Sequence, residues 1–212
     1  MADQTFIYSV FANDFSGSLH SLKEEKRGLR TYLRDKAGIE HVVFEDAVSS
    51  LLVDELTSYS EKIHIFHFAG HANGQTLKLE KADGEAEDFD VAQLKGYLQK
   101  SFCENIKLAF LNACNTHKLG QELIKAGIPA AIITYGVVPD SLAKDISLKF
   151  FEILSKDKNK ELSLKKMLDA LNIYISATLK EESYTGSFRS GDDAFFEFDE
   201  ELKERTESEY LW

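Results

Sequence analysis

Residues 63–71 read IHIFHFAGH, and residues 106–114 read IKLAFLNAC. Each segment is a mostly apolar run that ends in a chemically reactive side chain, His71 in the first and Cys114 in the second. Apolar runs of this length predict buried strands. Because the carboxyl ends of neighbouring parallel strands meet at one edge of a sheet, the two side chains are expected to lie together there. A histidine beside a cysteine favours a nucleophilic thiol with its own base.

Around these two segments, β-branched and aromatic stretches alternate with amphipathic ones along the whole chain. Strands are predicted at 5–12, 41–44, 62–68, 106–112, 130–135 and 194–198, with a hairpin arm at 76–79. Helices are predicted at 19–37, 49–59, 91–99, 118–126, 141–154 and 162–179, and the acidic stretch 81–90 is predicted to be an exposed loop. This alternation predicts an α/β fold, doubly wound, with a mostly parallel sheet flanked by helices.

The length of 212 residues predicts a single domain over 1–212. Residues 199–212 begin with dense charge and are predicted to form a charged tail. The tail ends in the apolar residues Tyr210-Leu211-Trp212, which is consistent either with a piece of a longer chain or with a C-terminus docked on the sheet.

Composition limits the classes of partner and the cellular compartment. The net charge of −11 argues against direct nucleic-acid binding, which requires basic surfaces. No apolar run is long enough for a membrane span, and residues 1–4 do not resemble the start of a signal peptide. With two cysteines there is no disulfide framework to expect, so a cytoplasmic location is predicted.

The chemistry expected at the two strand ends is that of a thiol nucleophile. A free thiol has a pKa near 8.5, so His71 would have to withdraw the Cys114 proton at neutral pH. The backbone N–H groups of Ala72 and Cys114 are the candidates for an oxyanion hole. Gly70 would let the chain turn off the strand before the histidine.

Other interpretations of these residues are possible from the sequence. A lone cysteine is usually a buried structural thiol, and Cys103, between a helix and a strand, is predicted to be one. A zinc site made by His67, His71, Cys114 and His117 is disfavoured, because the first two stand four residues apart on a strand and turn and not on a helix. No metal and no cofactor are therefore predicted.

The segments HFAGHAN at 67–73 and LNACNT at 111–116 resemble the CHAT domains, which are caspase-like cysteine peptidases. The family belongs to the clan of caspases, metacaspases, separase and gingipain, and the resemblance extends over most of residues 5–180. It implies a caspase-haemoglobinase-like fold with His71 as general base and Cys114 as nucleophile. The chain departs from caspases at Ala72, where they carry glycine, and no third member of a catalytic triad is visible.

The resemblance also implies a class of substrate and a setting. Many relatives cleave after a basic residue with acidic side chains in the specificity pocket, and Asp14 and Asp140 stand in suitable places. Their alternative roles are a turn for Asp14 and a helix start for Asp140. Relatives are often fused to repeat domains in bacteria, which implies an effector of a signalling or defence assembly with an activating partner or fused sensor domains.

The leading hypothesis is thus a cysteine endopeptidase that acts on a polypeptide substrate. Self-cleavage is a weaker variant of it, with basic sites before Ala82 and Ser190. The main alternative is a catalytically silent scaffold or regulatory binding module with the same fold. A flavodoxin-like ligand binder fits the alternation of strands and helices, but the chain lacks a glycine-rich phosphate loop.

Overall fold

The computed structural model describes residues 4–13, 19–45, 47–81, 83, 85–99, 101–134, 136–157, 164–181 and 196–197. Asp14, Ala82, the bond after Arg189 and the predicted charged tail at 199–212 lie outside this part of the chain.

Strands and helices alternate through most of the described chain, as the sequence predicts. The strands are Thr5–Phe11 (β1), Ile39–Phe44 (β2), Ile63–Ala69 (β3), Thr76–Glu80 (β4), Ala86–Asp90 (β5), Leu108–Asn112 (β6), Ala131–Ile132 (β7) and Phe196–Glu197 (β8). The helices are Leu22–Leu33 (α1), Ser49–Tyr59 (α2), Val91–Leu98 (α3), His117–Lys125 (α4), Asp140–Lys156 (α5) and Leu164–Glu181 (α6).

Among the described residues, six strands form the main sheet in the order β2-β1-β3-β6-β7-β8. All neighbours in it pair in parallel except β8, which runs antiparallel to β7. The chain adds β2 on one side of β1 and then β3 and β6 on the other side, so the sheet is doubly wound. The predicted α/β fold with a mostly parallel sheet is confirmed.

The sheet is buried on both faces, which is why its central strands are apolar along their length. In β1 the side chains of Phe6, Tyr8 and Val10 join one core, which α2, α3 and α4 cover. Ile7 and Phe11 point to the opposite face and join a second core, which α1, α5 and α6 cover. Helices on both faces leave the carboxyl edge of the sheet as the place where loops gather.

Two sequence expectations about strands are wrong in part. The stretch 81–90 is not a loop throughout, because β5 pairs antiparallel with β4 and buries Phe89 opposite Leu77. With one large apolar residue, β5 carries too little alternation to be recognised as a strand. Among the described residues of the strand predicted at 130–135, only those of β7 pair in the sheet, because the backbone N–H and C=O of Thr134 bond to the loop and helix that follow β6.

His41 on the outer strand β2 makes stability depend on pH. Burial, as the largest cause, and electrostatic interactions with His67 and Arg30 together lower the pKa of His41 to about 4. Since this lies below the usual value of 6.5, the unfolded chain binds the extra proton first as the pH falls. We expect the free energy of unfolding to drop by about 2 to 3 kcal/mol through this group between pH 7.5 and pH 4.5.

Urea unfolding at these two pH values tests this expectation with the variant His41→Gln, which retains a partner for the Ser9 hydroxyl, 2.9 Å from His41 Nε2. Carboxylates titrate alike in both chains, so the difference between them isolates the histidine. An equal loss of stability in the two chains would contradict the assignment.

Candidate active site

The ends of β3 and β6 lie side by side at the carboxyl edge of the sheet. Ala69 pairs with Asn112, and the N–H of Gly70 donates to the carbonyl of Asn112 at 3.4 Å. His71 and Cys114 each follow this last pair by two residues. The parallel register therefore brings the two reactive residues to the same edge at the same level, and both are half-buried.

The backbone is tightly packed where the chain leaves β3. A Cβ placed on Gly70 would lie 2.8 Å from the carbonyl oxygen of Ala12 and 2.8 Å from the ring of Phe68. Only glycine therefore fits at this position without a shift of its neighbours. The chain then turns into the β4–β5 hairpin, where the carbonyl of His71 accepts from the N–H of Lys78 at 2.9 Å.

Ala72 forms an isolated bridge with Leu77 of β4. The hydrogen bonds of this bridge run from Lys78 N–H to His71 and from Asn73 N–H to Thr76, so they flank Ala72 on both sides. The Ala72 N–H therefore lies outside the ladder. Its neighbour is held in a tight turn, because the side chain of Asn73 accepts from the N–H groups of Gln75 and Thr76 at 3.1 and 3.0 Å.

Cys114 lies in a short loop between β6 and α4. The next residue, Asn115, has a left-handed backbone with φ of 55°, and its N–H donates to the carbonyl of Gly136 at 3.0 Å. The Sγ of Cys114 lies 3.9 Å from the carbonyl oxygen of Val138. The half-buried thiol thus lies next to the segment that leads from β7 to α5.

Two buried threonines fasten this loop to the chain after β7. Thr116 Oγ1 donates to the carbonyl of Leu111 at 3.2 Å and accepts from the N–H of Thr134 at 2.9 Å. The hydroxyl of Thr134 in turn donates to the carbonyl of Ala113. The carbonyl groups on the strand side of Cys114 therefore have fixed partners. Sequence reasoning did not single out these threonines, since paired hydroxyls from distant segments leave no local pattern.

Cys103 is buried from solvent, whereas Cys114 is half-buried. Cys103 lies between α3 and β6, and burial raises the pKa of its thiol to about 11. A thiol of this kind stays protonated and inert at neutral pH, as expected for a structural cysteine.

Asp140 begins α5, two residues after Val138. Its carboxylate oxygen Oδ2 accepts from the backbone N–H of Ser21 at 2.8 Å, which ties the start of α5 to the start of α1. The side chain does not cap its own helix. The half-buried carboxylate therefore lies near the cysteine segment, with one oxygen already engaged. Asp14, the other acidic candidate, lies outside the described residues.

A buried polar cluster lies beneath the site and joins four elements of the fold. Its members are Glu25 of α1, His67 of β3, Asn112 of β6 and Ser147 of α5, all under 7% exposed. The Nδ2 of Asn112 donates to Glu25 Oε1 at 3.0 Å, and His67 Nε2 lies 3.3 Å from the same oxygen. From the sequence, His67 is either a satisfied strand histidine or a ring beneath the site that orients other groups, and the prediction does not include the other three residues.

Metal ligation finds no support in the described part of the chain, where no three His, Cys, Asp or Glu side chains are grouped as ligands. In particular, the ring of His67 packs edge-on against Phe11, Phe110 and Phe151, inside the second core. Among the helices that are described, none is both long and apolar enough to cross a membrane.

Comparison with known proteins identifies both the family and the fold. The sequence profile of the CHAT domain matches residues 2–172. The structure is similar to the crystal structure of caspase-1 from Spodoptera frugiperda, with a TM-score of 0.55 and 13% sequence identity over 79% of this chain and 75% of that one. A comparison with curated proteins finds no match. At this identity the likeness to caspase-1 concerns the fold alone.

Proposed function

Because the chain belongs to the CHAT domain family and has a caspase-like fold, we propose that it is a cysteine endopeptidase with His71 as base and Cys114 as nucleophile. The observation that carries this proposal is the position of both residues two places beyond the pair Ala69 and Asn112 at the carboxyl edge of the sheet. Family and fold together support a cysteine-peptidase type of function. The pair of residues and the reaction below are our inference.

In this reaction the imidazole of His71 takes the proton of the Cys114 thiol, and the thiolate attacks the carbonyl carbon of a peptide bond. The oxyanion that forms would accept hydrogen bonds from the N–H groups of Ala72 and Cys114. Support for the first donor is that the Ala72 N–H lies outside the hairpin ladder. The imidazolium then protonates the leaving amine, and a water activated by His71 hydrolyses the thioester.

We assign a basic residue to the position before the cut, with Asp140 as its partner. Support comes from the short separation along the chain between Asp140 and Val138, whose carbonyl contacts the Cys114 thiol. A carboxylate held by the Ser21 N–H would offer its second oxygen to an arginine or lysine side chain. Asp14 stays a second candidate for the same pocket, and the polypeptide substrate would come from an assembly that includes an activating partner.

The proposal is tested with fluorogenic peptides that carry Arg, Lys, Asp or Leu before the cut, on the chain and on Cys114→Ala. Labelling by an arginine chloromethyl ketone is followed in parallel by mass spectrometry. We expect cleavage and labelling that both require Cys114, with Cys103 unmodified because of its raised pKa. Silence on every peptide together with an unlabelled Cys114 would favour the scaffold alternative.

The acidic pocket is tested separately by Asp140→Asn. The loss of the carboxylate charge is expected to lower kcat/KM for Arg and Lys peptides by at least about tenfold, the scale of an ion pair in a specificity pocket. Asp145→Asn on the same helix is the matched control, since its side chain is 40% exposed. Unchanged selectivity in Asp140→Asn, or cleavage after an uncharged residue, would remove Asp140 from the pocket and leave the peptidase assignment intact.

A further inference from the structure

Helix α1 carries one charged residue in the middle of its buried face. The buried residues of this helix are Leu22, Glu25, Leu29 and Leu33, so Glu25 occupies a position of the apolar stripe. It is 2% exposed, whereas its neighbour Glu24 is 69% exposed at the side chain. A carboxylate is costly to bury unless hydrogen bonds to it compensate for lost water. Glu25 therefore needs hydrogen-bond donors from its neighbours in the core.

The hydrogen-bond partners of Glu25 lie on the two strands that end at the candidate active site. Its Oε1 accepts from the Nδ2 of Asn112 at 3.0 Å, in the last residue of β6. The same oxygen lies 3.3 Å from Nε2 of His67 on β3. Because Nδ1 of His67 has no hydrogen-bond partner among the described residues, we assign the ring proton to Nε2, where it donates to Glu25.

These contacts fasten the two strand ends to the helices of one face. The Nδ2 of Asn112 donates also to the carbonyl of Ala143 at 3.1 Å, which adds α5 to the cluster. Ser147 of the same helix places its hydroxyl 3.4 Å from Nε2 of His67. The single oxygen of Glu25 thus joins the residue two places before Cys114 to the residue four places before His71.

We propose that Glu25 is a positioning residue for the His71 and Cys114 pair, so this inference rests on the proposed function. Its buried Oε1 sets where β6 ends relative to β3, and the spacing of the imidazole and the thiol depends on that. The feature that matters is an acceptor oxygen at this point. Without this acceptor, the amide of Asn112 and the ring of His67 each lose a hydrogen-bond partner inside the core. The strand ends then shift to find other partners.

The test compares Glu25→Met, which preserves size and removes the acceptor, with Glu25→Gln, which can place one oxygen where Oε1 lies. The measurement is the rate of Cys114 alkylation by iodoacetamide as a function of pH, which needs no peptide substrate. In the unaltered chain we expect reaction well below pH 8.5, the usual pKa of a thiol without a base. In Glu25→Met the profile should move toward that value, with at least about a tenfold lower rate at pH 6.5.

Two further measurements separate positioning from a merely structural role. Glu25→Gln should retain the profile of the unaltered chain within about threefold, because the acceptor is restored. On a cleaved peptide, Glu25→Met should lower kcat with KM nearly unchanged. Glu24→Met and Glu24→Gln are the matched controls on the exposed side of α1, and both should behave as the unaltered chain.

The outcomes are distinct. A folded Glu25→Met with an unchanged alkylation profile would overturn the positioning role and leave the peptidase intact. A Glu25→Gln as impaired as Glu25→Met would also overturn it, since charge and not the acceptor would then be at work. An ordinary thiol profile in the unaltered chain would overturn the proposed pair and this inference with it. If Glu25→Met does not fold, Asn112→Ala removes the same hydrogen bond from the other side and should give the same shift.

Discussion

A chain with alanine in place of His71 is expected to hydrolyse peptides about 1000-fold more slowly than the unaltered chain, within the range for the loss of a general base. Without an imidazole beside it, the Cys114 thiol would stay protonated at neutral pH, and the leaving amine would have no acid to protonate it. The free energy of unfolding should change little, because His71 is half-buried and follows the strand. The measurements are kcat/KM at pH 7 and urea unfolding of both chains.

His117→Gln is the matched control for this experiment. His117 is the histidine nearest to Cys114 in the chain and begins α4, with its backbone N–H fixed to the carbonyl of Thr134 at 3.1 Å. We expect this variant to retain peptide cleavage within a few fold. If His117→Gln lost peptide cleavage while His71→Ala retained it, the base would have been assigned to the wrong histidine.

The sequence is most informative about those parts of the molecule that depend on local pattern. The apolar runs before His71 and Cys114 predict two central strands, and parallel pairing then requires that their ends meet, which the register of Ala69 with Asn112 confirms. Cys103 is likewise predictable as a structural thiol, since its position between a helix and a strand leads to burial.

The features that hold the site in place are less predictable because they depend on contacts between distant segments. Thr116 and Thr134 bond across 18 positions of the chain, and Asn112 reaches Glu25 across 87. Neither pair has a periodicity that a sequence would reveal. Glu25 alone leaves a signal, since a carboxylate stands where the helical stripe calls for an apolar residue. When an acidic residue occupies such a stripe position, polar residues at strand ends are therefore the first candidates for its hydrogen-bond partners.

The second large effect is expected from Gly70→Ala, through packing and not through chemistry. The added methyl group would lie 2.8 Å from the carbonyl oxygen of Ala12, which is backbone, and 2.8 Å from the ring of Phe68, which is fully buried. Neither neighbour can move freely, so the chain itself has to shift where it leaves β3. We expect a loss of about 1 to 3 kcal/mol in the free energy of unfolding. Since His71 is the next residue, kcat should fall about 100-fold in the protein that remains folded.

Gly96→Ala is the control for this substitution, because a methyl group at Gly96 meets no atom within 4 Å. Gly96 lies inside α3, where alanine should stabilise the helix by about 0.5 to 1 kcal/mol and leave activity unchanged. Gly96→Ala adds the same methyl group where no atom is in the way, so a loss of stability in Gly70→Ala reports the crowding beside His71. If Gly70→Ala were as stable and as active as Gly96→Ala, the backbone before His71 would have room to adjust, and the rigid strand end on which the proposed catalytic pair depends would be refuted. A destabilised Gly70→Ala with undiminished kcat would instead show that His71 is positioned by the β4–β5 hairpin, through the bond from Lys78 to its carbonyl, and not by β3.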